Sequence, residues 1–113
     1  MAVDKSLLAG STSLLLLKLL EQEDMYGYQM IEELRHRSDH TFDLKAGTLY
    51  PLLHTLELKG YVEAQEEIGD TARPRRYYHL TKTGRGQLAV KETEWRTYAK
   101  AVKKVLDGGV CLA

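Results

Sequence analysis

Residues 45–60 read KAGTLYPLLHTLELKG, and this stretch decides the fold. Four leucines recur at i, i+3, i+4 and i+7, the spacing of one face of an amphipathic helix: Leu49, Leu52, Leu53 and Leu56. We therefore predict a helix from about Lys45 to Lys59, which Gly60 ends. Pro51 lies inside it, where proline normally costs about 3 kcal/mol, and the flexible Gly47 lets the first turn adjust.

Two more helices are predicted before this one. The first, from about Ser6 to Gln22, is apolar nearly all round, so we expect it to be buried on more than one side, with a partner subunit on one face. The second runs from about Met25 to Arg37, with Asp24 as its N-cap. A polar, turn-like segment at 38–41 separates the second and third helices.

A hairpin and a long helix are predicted after Gly60. The strands span about Tyr61–Ile68 and Arg75–Leu80, and the breaker-rich segment 69–74 joins them. Thr81 caps a last helix, about Thr83 to Leu106, which the glycines at 108 and 109 terminate.

The last helix carries an apolar seam that is typical of helix pairs. Its members recur at three- and four-residue spacing: Leu88, Trp95, Tyr98, Val102 and Val105. A helix of this length overhangs the rest of so small a chain. We therefore expect it to pack on a second copy, together with Leu15 of the first helix, as a homodimer interface.

The order of these elements predicts a mainly α fold with a β-hairpin wing. We predict a winged helix-turn-helix domain at residues 1–80, followed by a C-terminal dimerisation helix and tail at residues 81–113. In this architecture the second short helix of the motif, here the third helix of the chain, enters the DNA major groove. Its first half offers Lys45, Thr48 and Tyr50 as candidate contacts. The same order also fits a winged-helix adaptor that binds protein without specific DNA binding.

Taken as a total, the charge balance argues against nucleic acid, because 16 basic residues are matched by 16 acidic ones. The zero is a cancellation: residues 1–44 hold four basic and eight acidic side chains, whereas residues 71–86 hold five basic ones and no acid. Arg73, Arg75 and Arg76 of that basic stretch are candidates for phosphate or minor-groove contact. We expect non-specific attraction to DNA to be weak.

Three motifs resemble the PadR family of bacterial transcriptional regulators. They are YGYQMI at 26–31, GTLYPLL at 47–53 followed by LELKGYV at 56–62, and RRYYHLTKTG at 75–84. The resemblance covers about residues 8–106. It implies a homodimeric repressor of a pseudo-palindromic operator, from the subfamily with one C-terminal dimerisation helix.

The resemblance also implies roles for individual residues. Tyr26, Tyr28, Thr48 and Tyr50 match DNA-contacting positions, and Arg75 and Arg76 match the basic wing strand. Relatives often carry Arg where this chain has Thr55, which leaves His54 and Lys59 as candidate replacements. Trp95 matches a dimer-interface Trp that stacks on planar aromatic ligands in some members. Each of these aromatic side chains could alternatively be part of the core.

Other functions are disfavoured by the sequence. No nucleophile–base set or phosphate-binding glycine loop is visible, so we expect no catalysis and no cofactor. His36 and His40 straddle a predicted helix end without a third ligand, so we expect no metal. One cysteine, Cys111, and the lack of a long apolar run favour a cytoplasmic protein without disulfide or membrane span.

Overall fold

The computed structural model describes residues 5–68 and 74–108, and the side chains of 5–9 and 68 are left out of this description. Over these ranges the order of elements is α1 (Lys5–Gln22), β1 (Met25–Tyr26), α2 (Gly27–Arg37), α3 (Ala46–Leu58), β2 (Val62–Ile68), β3 (Pro74–Leu80) and α4 (Lys82–Leu106). The predicted mainly α fold with a hairpin wing and a long last helix is confirmed. Cys111 lies outside the described residues.

The core lies where α1, α2 and α3 meet the inner face of the sheet. Each element contributes fully buried side chains, among them Leu16 and Leu20 of α1, Met30 of α2 and Leu53 of α3. The stripe predicted for α3 is largely confirmed, since Leu49, Leu53 and Leu56 are buried and Leu52 is partly buried. A helix of this length is stabilised mainly by burial of such a stripe rather than by intrinsic helix propensity. Accordingly, α3 continues through Pro51.

The described sheet has three strands rather than the predicted two, in the order β1-β3-β2 with antiparallel pairing. Met25 pairs with Tyr78 and Tyr26 pairs with Tyr77, so the second helix begins two residues later than predicted. The prediction that Asp24 caps α2 was wrong. Tyr26 is the N-cap, and the Asp24 carboxylate lies 2.8 Å from Nδ1 of His79 on β3.

The ends of α3 and α4 follow the predicted signals. Gly60, just beyond α3, has a φ of +77°, the left-handed conformation that a residue with a Cβ avoids. Thr81 is the N-cap of α4, and its hydroxyl accepts the Gly84 N–H at 2.9 Å. At the other end Gly108 has a φ of +80°.

The last helix leaves the body of the chain. It has 25 residues, about 37 Å at the usual rise, and the molecule measures 66 × 32 × 21 Å. Its first half packs on α1, where Leu88 is buried and the Lys18 ammonium lies 3.4 Å from the Glu92 carboxylate. Of the helices described over 5–68 and 74–108, none is long and apolar enough to cross a membrane.

Candidate nucleic-acid interface

The face of α3 that points away from the core is polar and solvent-exposed. Because Leu49, Leu53 and Leu56 anchor one side, the helix turns the opposite side outward. This outward side carries most of the predicted contacts on α3: Thr48, Tyr50 and His54. Lys45 is the N-cap residue and Lys59 the C-cap residue, so both lie at the ends of the helix, and both are exposed.

Thr55 occupies the position where Arg was expected from the family pattern. Its hydroxyl donates to the carbonyl oxygen of Pro51 at 3.1 Å, one turn earlier. Such a bond to the preceding turn is a common local use of threonine within a helix. At this position the outward face therefore presents a short side chain that is occupied locally.

Tyr50 is held in place by the start of α2. Its ring lies so close to Gly27 that a Cβ built there would fall 2.6 Å from Cζ and 2.9 Å from Cε1, and would overlap the hydroxyl oxygen. The glycine of the YGYQMI motif therefore makes room for the tyrosine of the GTLYPLL motif. Tyr50 is still 46% exposed, so one side of the ring packs and the other faces solvent.

An aromatic and cationic cluster lies on the outer face of the sheet, beside the start of α2. The rings of Tyr26 and Tyr77 meet edge to face, with centroids 5.4 Å apart and planes at 73°. The guanidinium carbon of Arg75 lies 4.6 Å from the centroid of Tyr26, within cation–π range. Tyr28 is 62% exposed, so it is not a core residue. The cluster places a cation and two tyrosines on one open surface.

Arg76 points to the other face of the sheet, toward α3. Its Nη2 donates to both carboxylate oxygens of Glu57, at 3.2 and 3.3 Å. The guanidinium carbon also lies 5.9 Å from the ring centroid of Tyr78. The neighbouring Tyr78 hydroxyl and then the Glu57 carboxylate raise the pKa of Arg76, and burial raises the pKa of Tyr78.

The wing is less basic than its linear sequence indicates. In the antiparallel register Glu67 is opposite Arg75 and Glu66 is opposite Arg76. Together with Glu57 of α3, these two residues of β2 put three carboxylates beside the two arginines of β3. Arg73 lies outside the described residues. Sequence reasoning missed these acidic neighbours. Pairing the predicted strand ends, Ile68 with Arg75, would have put Glu67 opposite Arg76, one residue out of the observed register.

Comparisons with known proteins agree with this arrangement. Residues 16–90 match the Transcriptional regulator PadR-like family. The chain belongs to the PadR-like family of transcriptional regulators. The matched residues include α2, α3, the hairpin and the start of α4. Because this is a family of transcription regulators, the expectation that the chain is not an enzyme is confirmed.

Individual relatives support the same assignment. A transcriptional regulator of Mycobacterium tuberculosis is 33% identical over 85 residues, which are 75% of this chain and 73% of that protein. A PadR family regulator from Eggerthella lenta is 33% identical with a TM-score of 0.79, covering 91% of this chain and 88% of that one. A transcriptional regulator from Clostridium thermocellum is 27% identical with a TM-score of 0.83, covering 91% and 97%.

A second open surface of this PadR-like chain lies along α4. Four large side chains of the predicted seam are exposed in the single chain: Trp95, Tyr98, Val102 and Val105. Leu88 is only 2% exposed and belongs to the core of its own chain. Leu88, which is predicted to lie in the dimer interface, packs in the single chain where the first turns of α4 meet α1.

A cavity of about 340 Å³ opens between α1 and this part of α4. Its apolar wall is formed by Leu14, Leu15 and Phe42 together with one side of Trp95. Lys18, Glu92 and Arg96 lie at its polar rim, where Glu92 accepts from Arg96 at 2.7 Å. Hydrogen bonds from Arg96 and then Lys18 lower the pKa of Glu92.

His36 and His40 lie on different sides of the end of α2. His36 lies in the last turn of α2, whereas His40 lies beyond it with a φ of +66°. In the part of the chain that the structure describes, no group of three or more His, Cys, Asp or Glu side chains is placed to hold a metal ion.

The contact between Gly27 and Tyr50 makes a prediction about stability. Gly27→Ala should lower the free energy of unfolding by about 1–3 kcal/mol, because the new methyl group overpacks the contact. In a Tyr50→Leu background the same substitution should cost less than about 0.5 kcal/mol, since leucine lacks the ring atoms that the methyl would meet. Urea unfolding of the four proteins measures both costs. Equal costs in the two backgrounds would show that Tyr50 is not the neighbour that requires glycine.

Proposed function

We propose that this chain is a homodimeric repressor that binds a pseudo-palindromic DNA operator. The observation that carries the proposal is the exposed, polar outward side of α3, whose Tyr50 contacts Gly27, the residue next to Tyr26 of the tyrosine–arginine cluster. It combines a helix of suitable size for the major groove with cationic and hydroxyl donors next to it. Its place of action would be the cytoplasm.

Each part of this surface has a distinct proposed role. Thr48, Tyr50 and His54 face the base edges, while Lys45 and Lys59 at the two helix ends contact the flanking phosphates. Tyr26 and Tyr28 at the start of α2 donate their hydroxyls to phosphate. Arg75, and Arg73 in the connection of the hairpin, form the wing contact. Arg76 contributes less, because Glu57 already occupies one of its nitrogens.

We assign DNA recognition to residues 1–80 and dimerisation to residues 81–113, with Leu15 of α1 joining the second surface. Exposed apolar side chains along one stripe of α4 support this division, because an apolar surface of this kind is usually covered by a partner. A two-fold dimer would place its two reading helices about 34 Å apart, so operator half-sites should be separated by about 10 bp.

The cavity beneath Trp95 is the proposed site for an effector. Its apolar wall and indole ring suit a planar aromatic molecule, and its rim of charged side chains suits one polar substituent. Because the cavity adjoins the proposed dimer surface, an occupant would alter the relative position of the two reading helices. That change would release the operator.

The DNA-binding proposal is tested with duplexes from the upstream region of the chain's own gene, by fluorescence anisotropy at several salt concentrations. We expect a specific complex at physiological salt. The rival function, a protein-binding adaptor, predicts no preference for these duplexes over random sequence. Only that outcome would reverse the proposal in favour of the adaptor.

The wing makes a sharper prediction with the same measurement. Arg75→Ala combined with Arg76→Ala should weaken binding to every duplex and flatten the plot of log affinity against log salt by about 0.9 or more, the slope of one phosphate contact. The control removes the same charge elsewhere, through Arg37→Ala with Lys104→Ala, and should leave the slope near its original value. An unchanged slope in the wing variant would exclude the wing contact.

The proposed dimer interface is tested by placing a charge on it. Val105→Glu should weaken dimerisation at least about 10-fold, because a two-fold interface buries the new carboxylate twice. Thr93→Glu adds the same charge at an exposed position on the opposite side of α4 from Tyr98 and Val102, and it should leave the dimer intact. Sedimentation velocity over a range of concentrations separates the two results. Equal behaviour of both variants would place the interface elsewhere.

The proposed effector site is tested through the fluorescence of Trp95, the only tryptophan of the chain. Planar aromatic compounds should quench it, and the quenching compounds should release operator DNA at matching concentrations. Leu14→Phe narrows the cavity from the opposite wall without adding a second tryptophan, and it should weaken both effects. Quenching without release of DNA would indicate a ligand carrier rather than an effector-controlled repressor.

A further inference from the structure

A carboxylate lies on the stripe of α3 that carries the proposed base contacts. Tyr50, His54 and Glu57 stand at i, i+4 and i+7, so they follow one another along the same side of the helix. Glu57 is the only acidic residue of α3. A negative charge at such a position repels the phosphates that flank the groove, and it therefore opposes DNA binding.

The partner of Glu57 is a cation of the wing strand rather than a neighbour on its own helix. Nη2 of Arg76 donates to both oxygens of Glu57, at 3.2 and 3.3 Å, across 19 residues of sequence. This contact joins the C-terminal end of α3 to β3. It brings together the two elements that would contact DNA on either side of one phosphate backbone.

Folding stability alone gives little reason for this pair. The Arg76 side chain is 49% exposed and that of Glu57 is 32% exposed. Exposed ion pairs contribute little to stability because water screens the attraction and the long side chains lose freedom. The same exposure leaves Arg76 accessible to a phosphate, which would compete with Glu57 for the same guanidinium.

The two wing arginines are held in different ways. Arg75 lies over the ring of Tyr26, and this cation–π contact does not use its N–H groups as hydrogen-bond donors. Arg76 donates one nitrogen to a carboxylate, and a phosphate that approaches it also meets the charge of Glu57. A phosphate that binds Arg76 must therefore compete with a carboxylate that is already hydrogen-bonded to it.

We propose that Glu57 limits the affinity of this chain for DNA by restraining Arg76 in an ion pair between the reading helix and the wing. The inference rests on the DNA binding proposed above and identifies a residue that sets its strength. Glu57 acts through Arg76 and is a positioning residue. Its effect is greatest on DNA of random sequence, where phosphate contacts supply essentially all of the binding. Regulators that bind random DNA weakly are less occupied by competing sites in a genome.

The test uses the full chain and a 30-bp duplex of random sequence, so that no operator is needed. Glu57→Gln keeps the size of the side chain and removes its charge. We expect about 3- to 10-fold tighter binding at 100 mM salt, with the slope of log affinity against log salt steeper by about 0.9. The matched control is Glu32→Gln, which removes an equal charge from another exposed Glu–Arg pair, Glu32 with Arg35 at 3.1 Å on α2. Its affinity should stay within about twofold of the original.

A double-variant cycle shows whether the effect passes through Arg76. In an Arg76→Gln background, Glu57→Gln should bring less than about twofold gain, because no guanidinium remains to be released. An equal gain in both backgrounds would overturn the proposal and show that Glu57 acts only by its own repulsion. Thermal unfolding verifies that each variant is folded. Glu57→Ala serves as the second variant if Glu57→Gln loses helix.

The outcomes separate this inference from the proposed function. If the original chain binds its operator but Glu57→Gln binds random DNA with unchanged affinity and slope, the inference fails alone. If neither the original chain nor Glu57→Gln binds any duplex, the proposed function fails and the inference fails with it. Tighter binding with a steeper slope, abolished in the Arg76→Gln background, supports both.

Discussion

Burial of the leucine stripe of α3 is the constraint on which the rest of the structure depends. Leu49, Leu53 and Leu56 pack into the core, so the rotation of the helix about its axis is fixed. The opposite side then faces solvent, whatever residues it carries, because the packing of the buried side sets its orientation. The position of this outward surface is therefore set by apolar packing, whereas its chemistry is set by separate residues.

Two contacts connect that surface to the rest of the chain. Gly27 admits the ring of Tyr50, so the start of α2 and the outward side of α3 meet closely. The short strand β1 pairs with β3, which brings Tyr26 beside Tyr77 and Arg75. Both contacts join segments that are distant in sequence, and they gather tyrosines and an arginine that belong to separate motifs into one cluster.

The distribution of charge follows from the same pairing. Residues 71–86 carry no acid in the sequence, yet the antiparallel register puts Glu66 and Glu67 opposite the wing arginines, and α3 adds Glu57. For the proposed function, these carboxylates would weaken the electrostatic attraction of the wing to DNA. If the chain acts as the proposed dimer, its binding would depend on the fit of two reading helices more than on net charge.

The sequence by itself determined the helices, the hairpin and the family. Periodicity of 3.6 residues, glycine stops and a threonine cap are local signals, and local geometry is what they govern. It also identified Tyr50, Arg75 and Arg76 as surface candidates. Only the tertiary structure decided the strand at Met25–Tyr26, the partner of Asp24, the burial of Leu88 and the ion pair of Arg76 with Glu57. Each of these depends on which distant segment lies opposite, and the spacing of residues along one chain does not contain that information.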